Sequence, residues 1–351
     1  MKILYSIQAT GNGHISRGIQ LIPYLRQYGQ VDIFLSGSNA SLEIPLNVAY
    51  RSKGISLFYN SCGAIDYKKI LLKNHWSALG KEARSLPVEK YDLIINDFEP
   101  ITSIACHLKK KQSIQLSHQA SFRSKYVPRP VHNNLIGESI LKWYSTSSSY
   151  IGFHFQPYDD FILNPVIKSK ILDANPSDKG HITIYHPSYE RSFFENHLSQ
   201  LPEIEFHVFL PGIKESLRFK NCTFHPIDNE LFSRSMLSCH GLITGGGFES
   251  PSEALYLKKK LMVIPLKNHY EQYCNAAALQ AMGVKVLHWN QMPLFIDEIK
   301  NWLNQAHETI EITANNIKET IQLVLSKLEK TEPSFDSQES LQWQKEWLNP
   351  A

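Results

Sequence analysis

The sequence predicts an α/β protein of two doubly wound, Rossmann-like parallel-sheet domains. Three observations carry this reading. Short apolar runs alternate with helix-patterned stretches, as βαβ units require. The alternation comes in two series, separated at 164–180 by two Asn-Pro pairs and Ser-Asp-Lys-Gly, turn-forming residues that read as a linker. The length, 351 residues, suits two domains of about 150. Domains are therefore expected at 1–165 and 166–331. A tail helix is expected at 332–351, where Leu341, Trp343, Trp347 and Leu348 share one helical face that can pack back on the first domain.

In the first series KILYSI at 2–7 reads as a strand, followed by a helix over 16–27 and the strand VDIFLS at 31–36. DLIIND at 92–97, a helix near 100–110, SIQLSH at 113–118 and YIGFHF at 150–155 complete it. The second series has HITIYH at 181–186, a helix near 189–199, EFHVFL at 205–210 and CTFHPI at 222–227. GLIT at 241–244, a helix from 251, LMVIPL at 261–266, a helix from 270 and VKVLHW at 284–289 follow.

Composition excludes several classes. With 42% hydrophobic and 20% charged residues, the chain is neither disordered, collagen-like nor a coiled coil. No run reaches the roughly 18 apolar residues of a spanning helix. The opening MKILYSI is too short for a signal-peptide core and meets polar residues at once, so a cytoplasmic protein is expected. Cys62, Cys106, Cys222, Cys239 and Cys274 are scattered, and read as reduced thiols. The net charge of +3 hides an asymmetry: residues 1–165 hold 18 Lys/Arg against 11 Asp/Glu, and the remainder 18 against 22. The basic half, with Lys109, Lys110, Lys111, Arg123, Lys125 and Arg129, either meets phosphate or an anionic membrane surface, or is a solvated face. No nucleic-acid partner is expected.

The strand KILYSI runs into Gly11-Asn12-Gly13-His14, then a helix. Glycines permit a tight turn and close approach of a ligand, and the helix amides favour an anion. A nicotinamide-binding loop fits poorly. Ser16 stands at the third fingerprint position, and the next strand ends in Leu35-Ser36-Gly37 with no acid for a ribose. His14 lies at the C-terminal sheet edge, where it either acts as a base or bonds to backbone. Asn96-Asp97-Phe98-Glu99-Pro100 reaches the same edge. Asp97 either orients His14 or caps the next helix, and Glu99 is a rival base. His118 is a lesser candidate to line the cleft.

In the second series GLIT runs into Gly245-Gly246-Gly247. Ser250 reads as an N-cap, Pro251 as the first helical residue and Glu253 as the partner in a capping box, so the loop forms a phosphate cradle. Glu253 either closes that box or holds a ribose. Downstream, Glu271 and Gln272 either hold sugar hydroxyls or form the first turn of a helix. The sequence has no D-x-D acidic pair and no H-E-x-x-H motif to point to a metal.

The order Thr-Gly-Gly-Gly-x-x-Ser-x-x-Glu-Ala-Leu, then Glu-Gln-x-x-Asn-Ala-x-x-Leu and Met-Gly-Val, resembles the donor half of GT-B glycosyltransferases, specifically the MurG-like (glycosyltransferase family 28-like) branch. Gly11-Asn12-Gly13-His14 resembles that branch's N-terminal loop. The matching stretches are 8–18 and 240–284, and the acceptor-binding regions show no match to the enzyme acting on lipid-linked muramoyl peptide.

The resemblance implies a hexosyltransferase moving a sugar from a nucleotide donor, UDP-linked, to an acceptor hydroxyl on a sugar or lipid-linked molecule, with inversion and without metal. It implies a GT-B fold with an interdomain cleft, and places the nucleotide sugar, a substrate and not a cofactor, on the second domain and the acceptor on the first. Glu253 would hold the ribose, Gly245, Gly246, Gly247 and Ser250 the diphosphate, and Glu271 and Gln272 the sugar. His14 would lie at the reaction centre, with Gly11, Asn12, Gly13 and Arg17 near diphosphate or acceptor. Gly11-x-Gly13-His14-x-x-Arg17 also resembles the loop of a MurG-like nucleotide-sugar hydrolase. A hydrolase or epimerase, or a non-catalytic nucleotide-sugar-binding subunit, is therefore the alternative. Attachment to the inner face of the membrane would use the basic N-terminal half.

Overall fold

The structure is a computed structural model. It describes residues 1–9, 11–37, 48–55, 69, 72, 76–132 and 134–330. The expected tail helix at 332–351 and Cys62 lie outside the described residues.

The first half comprises β1 (Lys2–Gln8), α1 (Asn12–Leu25), β2 (Gln30–Ser36), β3 (Val48–Ser52), α2 (Trp76–Ser85), β4 (Leu93–Asp97), α3 (Pro100–Leu108), β5 (Ile114–Ser117), α4 (Leu135–Trp143), β6 (Ser149–Phe153) and β7 (Ile162–Leu163). Its sheet has the order β3-β2-β1-β4-β5-β6-β7, with every neighbouring pair parallel. A strand buried on both faces needs apolar residues at nearly every position, which is why β1 reads as a run and not as an alternation. Ile3, Tyr5 and Ile7 pack in one core cluster with Ile15, Leu21, Ile22 and Leu25 of α1. Leu4 packs in another with Leu79 and Ala83 of α2 and Ile101 and Ala105 of α3. Each buried Ile or Leu among them contributes about 1.5–3 kcal/mol relative to an exposed one.

The short helix α5 (Ser169–Leu172) lies in the expected linker. The second half comprises β8 (Ile182–Tyr185), α6 (Arg191–Leu198), β9 (Phe206–Phe209), β10 (Leu217–Phe219), β11 (Cys222–His225), α7 (Asn229–Ser238), β12 (Gly241–Thr244), α8 (Glu249–Tyr256), β13 (Lys260–Val263), α9 (Tyr270–Ala281), β14 (Lys285–Val286), α10 (Phe295–Asn304) and α11 (Ile317–Lys330). Its sheet runs β10-β11-β9-β8-β12-β13-β14, parallel except for the antiparallel β10 edge. The chain returns to the first half through α11, whose Ile321 and Val324 join the core cluster that holds Ile15 and Leu21 of α1. The amide of Asn315 donates to the carbonyl of Pro165 at 2.8 Å.

Among the described residues no helix is long and apolar enough to cross a membrane. Cys106, Cys222, Cys239 and Cys274 are buried free thiols.

Candidate active site

The strand order of the first sheet reverses between β1 and β4, which pair with Ile7 opposite Asp97. The two chains leave these strands in opposite directions, and their C-terminal ends open the crevice in which doubly wound sheets bind ligands. From β1 the chain passes through an extended Gly11 into α1, and no side chain caps the helix. Gly13 leaves room for a side chain from the second half. A Cβ there would overlap the carboxylate of Glu249, which reaches across from α8.

His14 and Arg17, three residues apart, share one face of α1. His14 Nδ1 lies 2.7 Å from Asp97 Oδ1. A carboxylate only accepts, so this contact calls for the proton on Nδ1, and a ring that carries its one proton there has its lone pair on Nε2; Arg17 Nη2 also lies 3.0 Å from Nδ1. Arg17 donates to Asp97 from Nε at 3.0 Å and Nη2 at 2.6 Å, and to Glu249 from Nη1 at 2.8 Å. Burial pushes the Asp97 carboxyl up, but the charges of Arg17 and His14 outweigh it and hold Asp97 below the usual carboxylate range. Burial likewise pushes the Arg17 guanidinium down, and Asp97 and Glu249 more than restore it. The result is a chain of contacts, Glu249–Arg17–Asp97–His14, that spans both domains. Of the two sequence readings of Asp97, the structure carries the one in which it orients His14.

Glu99 is placed elsewhere. Phe98 adopts a left-handed φ of 59°, which turns the chain between two acids. Asn96 clamps that turn by donating to the Glu99 carbonyl at 2.9 Å and accepting from the Glu99 amide at 2.6 Å. The Glu99 carboxylate is fully buried and caps α3, accepting from the amides of Ile101 at 2.9 Å and Thr102 at 2.5 Å. It does not line the cleft. The cap of this helix is thus Glu99, where Asp97 was the sequence candidate, and the Glu99 carboxylate faces the helix amides and not the cleft.

The capping box on the second glycine loop is also corrected. Helix α8 begins at Glu249 with Phe248 as N-cap and no side-chain cap bond. The Phe248 ring stacks on His118 at 4.0 Å and fixes the entry to the helix two residues before Ser250. Ser250 therefore sits inside the first turn, lining the cleft. Glu253 makes no box. It is 2% exposed, pairs with Lys168 at 3.1 Å, and is screened from the cleft by that lysine, which does line it. Burial pushes the Glu253 carboxyl up, partly offset by Lys168.

The third element folds onto the second loop. Gln272 Oε1 accepts from the amides of Gly246 at 3.0 Å and Leu266 at 2.9 Å. A Cβ on Gly246 would stand 2.6 Å from the Gln272 carbonyl oxygen, so the loop needs glycine there. Asn275 donates to the Gly246 carbonyl at 3.0 Å and its Oδ1 lies 2.8 Å from His118 Nε2. Glu271 faces the cleft and accepts from Gln119 Nε2 at 3.1 Å. Burial pushes the Glu271 carboxyl up, but His118, His269 and the Gln119 amide outweigh it, and it lies below the usual range.

These pieces enclose a cleft of about 770 Å³, of the size that small-molecule sites occupy. Gly11, Asn12, Gly13, His14, Arg17, Gly245, Gly247, Ser250, Glu271 and Gln272 all line it, while Gly246 is buried against α9. Sequence reasoning missed Glu249, Gln119, Lys168 and His269. Glu249 was hidden in a stretch read as a cap, and Gln119 stands beside the one candidate, His118, already placed at that edge. The basic stretch is partly spent on folding. Lys109 pairs with Glu89 at 3.0 Å, Arg129 with Glu138 at 2.5 Å, and Arg123 lies 3.9 Å over the Tyr150 ring.

Two doubly wound domains facing each other across such a cleft define the GT-B class. MurG from Acinetobacter baumannii is 12% identical, with 93% of this chain and 99% of that one covered at a TM-score of 0.56. The glycosyltransferase SnogD from Streptomyces nogalater is 13% identical, with 93% and 99% covered at 0.52. UGT2 from Phytolacca americana, solved with UDP-2-fluoroglucose and pterostilbene, is 14% identical, with 99% and 98% covered at 0.52. At these identities the likeness is one of fold. Residues 1–306 match the family described as glycosyl transferase family 1, and the chain belongs to that family: it is a glycosyltransferase. No curated protein matches it in sequence.

Proposed function

We propose that the protein transfers a sugar from a UDP-linked donor to an acceptor hydroxyl in a single inverting displacement. The observation that carries this reading is the His14–Asp97 contact at 2.7 Å, made through Nδ1 by a residue that lines the cleft. The acceptor O–H donates to His14 Nε2. As the acceptor oxygen bonds to the anomeric carbon, its proton passes to Nε2, and Asp97 stabilises the imidazolium through Nδ1–H. The bond from the anomeric carbon to the diphosphate oxygen breaks, and its electron pair leaves with UDP. First-turn amides of α8 and the Gly245–Gly247 loop take the developing charge, so the reading needs no metal. Glu271 receives sugar hydroxyls. The ribose meets Glu253 once Lys168 swings off it.

The test is UDP release from UDP-glucose, UDP-galactose and UDP-N-acetylglucosamine with EDTA present, with and without lipid and soluble acceptor fractions. Transfer requires release that an acceptor fraction accelerates, with the sugar recovered on the acceptor. Stoichiometric free sugar without acceptor would assign a hydrolase instead. Donor binding with no turnover in any fraction would assign a binding subunit, and turnover restored only by magnesium or manganese would overturn the metal-free leaving group.

A further inference from the structure

Resting on that reading, we infer that Glu249 is a positioning residue for the transfer: from the second half of the chain it grips Arg17 of the first, and it supplies the second carboxylate that the groups around His14 need when His14 takes up the acceptor's proton. Glu249 is neither the base nor one of the residues expected to hold the donor.

The contact is built into both halves. Glu249 is the first residue of α8 and lines the cleft. Its carboxylate lies against Gly13, where a Cβ would stand 2.3 Å from Oε2 and 2.5 Å from the carboxyl carbon. It therefore rests at the opening of α1, which starts at Asn12 without a side-chain cap, and the positive end of a helix favours an anion there. Arg17 is buried. Its Nε and Nη2 are committed to Asp97, at 3.0 and 2.6 Å, and its Nη1 meets Glu249 Oε1 at 2.8 Å.

A charge count gives the second carboxylate its task. Before transfer the linked groups hold one cation, Arg17, and two carboxylates, Asp97 and Glu249. When His14 takes the proton at Nε2, the ring becomes a second cation, and Arg17 Nη2 lies 3.0 Å from its Nδ1. Two cations then face two carboxylates. Without Glu249, Asp97 alone would serve both, and the neighbouring guanidinium would oppose the imidazolium. The other groups facing His14 are the Gln119 amide, whose nitrogen is 3.5 Å from Nε2, and beyond it Glu271 of α9, which accepts from that amide at 3.1 Å. Neither touches Arg17 in these contacts, so neither replaces Glu249.

Arg17 and Glu249 are 232 positions apart and come from different halves. The balanced set of charges forms only when the two halves are seated against each other. Closing the cleft thus completes the surroundings of the base, and opening it withdraws one carboxylate.

Two substitutions in the full chain remove the contact in different ways. Glu249→Gln keeps the shape and removes the charge. Gly13→Ala keeps the charge and pushes the carboxylate, the end of a flexible side chain, off Arg17. Three measurements compare them with the parent: calorimetric titration with UDP, turnover at saturating donor, and a pH titration of the isotope-labelled His14 ring by nuclear magnetic resonance. Glu249→Gln is expected to bind UDP no more weakly than the parent and to lose about tenfold in turnover, a part of the roughly 10²–10⁴ that a general base supplies. Its His14 ring should take up a proton only at lower pH than in the parent. Gly13→Ala should lose as much turnover, and the double variant no more than either alone, because both remove one contact. A His14 ring that titrates alike in parent and Glu249→Gln, an unchanged turnover, or losses that multiply in the double variant would overturn the inference. So would a fall in UDP affinity as large as the fall in turnover, which would make Glu249 a donor ligand. A parent that turns over no donor sinks the proposed function itself, and the His14 titration then decides by itself whether Glu249 governs the charge of the ring.

Discussion

The two glycine loops are the same structural unit put to different uses. Each follows a central parallel strand, each opens a helix, and neither helix has a side-chain cap. On the first, the side chains after the glycines do the work: His14 and Arg17 converge on Asp97 from the neighbouring strand. On the second, the side chains serve the backbone. Gln272 and Asn275 pin both the amide and the carbonyl of Gly246 and so fix where the loop can meet a ligand. Base chemistry needs a titratable group in a set orientation, whereas a diphosphate needs amides and a helix end. One βα turn can supply either, depending on which atoms its neighbours hold.

The largest expected effect comes from the first loop. Asp97→Ala leaves the buried Arg17 without its two-pronged partner, at a cost of about 3–5 kcal/mol. It also releases His14, at a cost of roughly 10²–10⁴ in turnover. His14→Ala should show the same rate loss with stability nearly unchanged and donor affinity intact. Urea unfolding and UDP-release assays check both, and an Asp97→Ala protein as stable as the parent would break the ion-pair chain drawn here. The pH dependence has a definite sign. The folded Asp97 carboxyl is held below its ordinary value, so its contribution is present above about pH 4, near the unfolded value. It is lost as pH falls through the lowered folded value, and Asp97→Asn should flatten that acid limb.

The second loop should respond in binding. Gln272→Ala removes the acceptor for two loop amides and is expected to weaken UDP binding by about 1–3 kcal/mol. Turnover at saturating donor should change far less, because His14 is untouched. A variant whose maximal turnover collapses while its UDP affinity holds would mean that the two loops are not divided in this way. Glu253→Gln is a smaller perturbation, since the amide keeps the shape and loses only the charge that Lys168 meets. It should weaken UDP binding by about 1 kcal/mol, and unchanged binding would remove the ribose from Glu253.

Much of this was legible in the sequence because it depends on runs and spacings. The central strands are continuous apolar runs, and the glycine loops stand at their ends. The short edge strands β3, β7 and β10 carry no such run: β3 alternates partly buried with exposed residues, and β7 has only two residues. The start of α1 was expected at residue 16 because Gly11 to Gly13 look like loop, although the helix opens at Asn12, directly behind an extended Gly11. The site was legible where one strand edge gathers its own residues, as with His14 and Asp97. It was not legible where partners arrive from the other domain. Glu249 meeting Arg17, and Gln119 meeting Glu271, join residues 232 and 152 positions apart. A motif cannot express such pairs.

The smallest expected effect separates two acids that are two residues apart. Glu99→Gln keeps one acceptor for the amides of Ile101 and Thr102 and so retains part of the cap on α3. Stability should move by no more than about 1 kcal/mol, the scale of a cap, and turnover should stay within a few-fold of the parent. Burial pushes the folded Glu99 carboxyl up, so its protonated form is the one that folding favours. That contribution is present below the unfolded value, about pH 4.3, and is lost as pH rises through the raised folded value. The Gln variant should therefore gain on the parent between pH 4 and pH 7, which urea unfolding at the two pH values will reveal. A Glu99→Gln protein that folds and binds UDP normally but fails to turn over would return the base to Glu99 and leave His14 as a residue that shapes the loop.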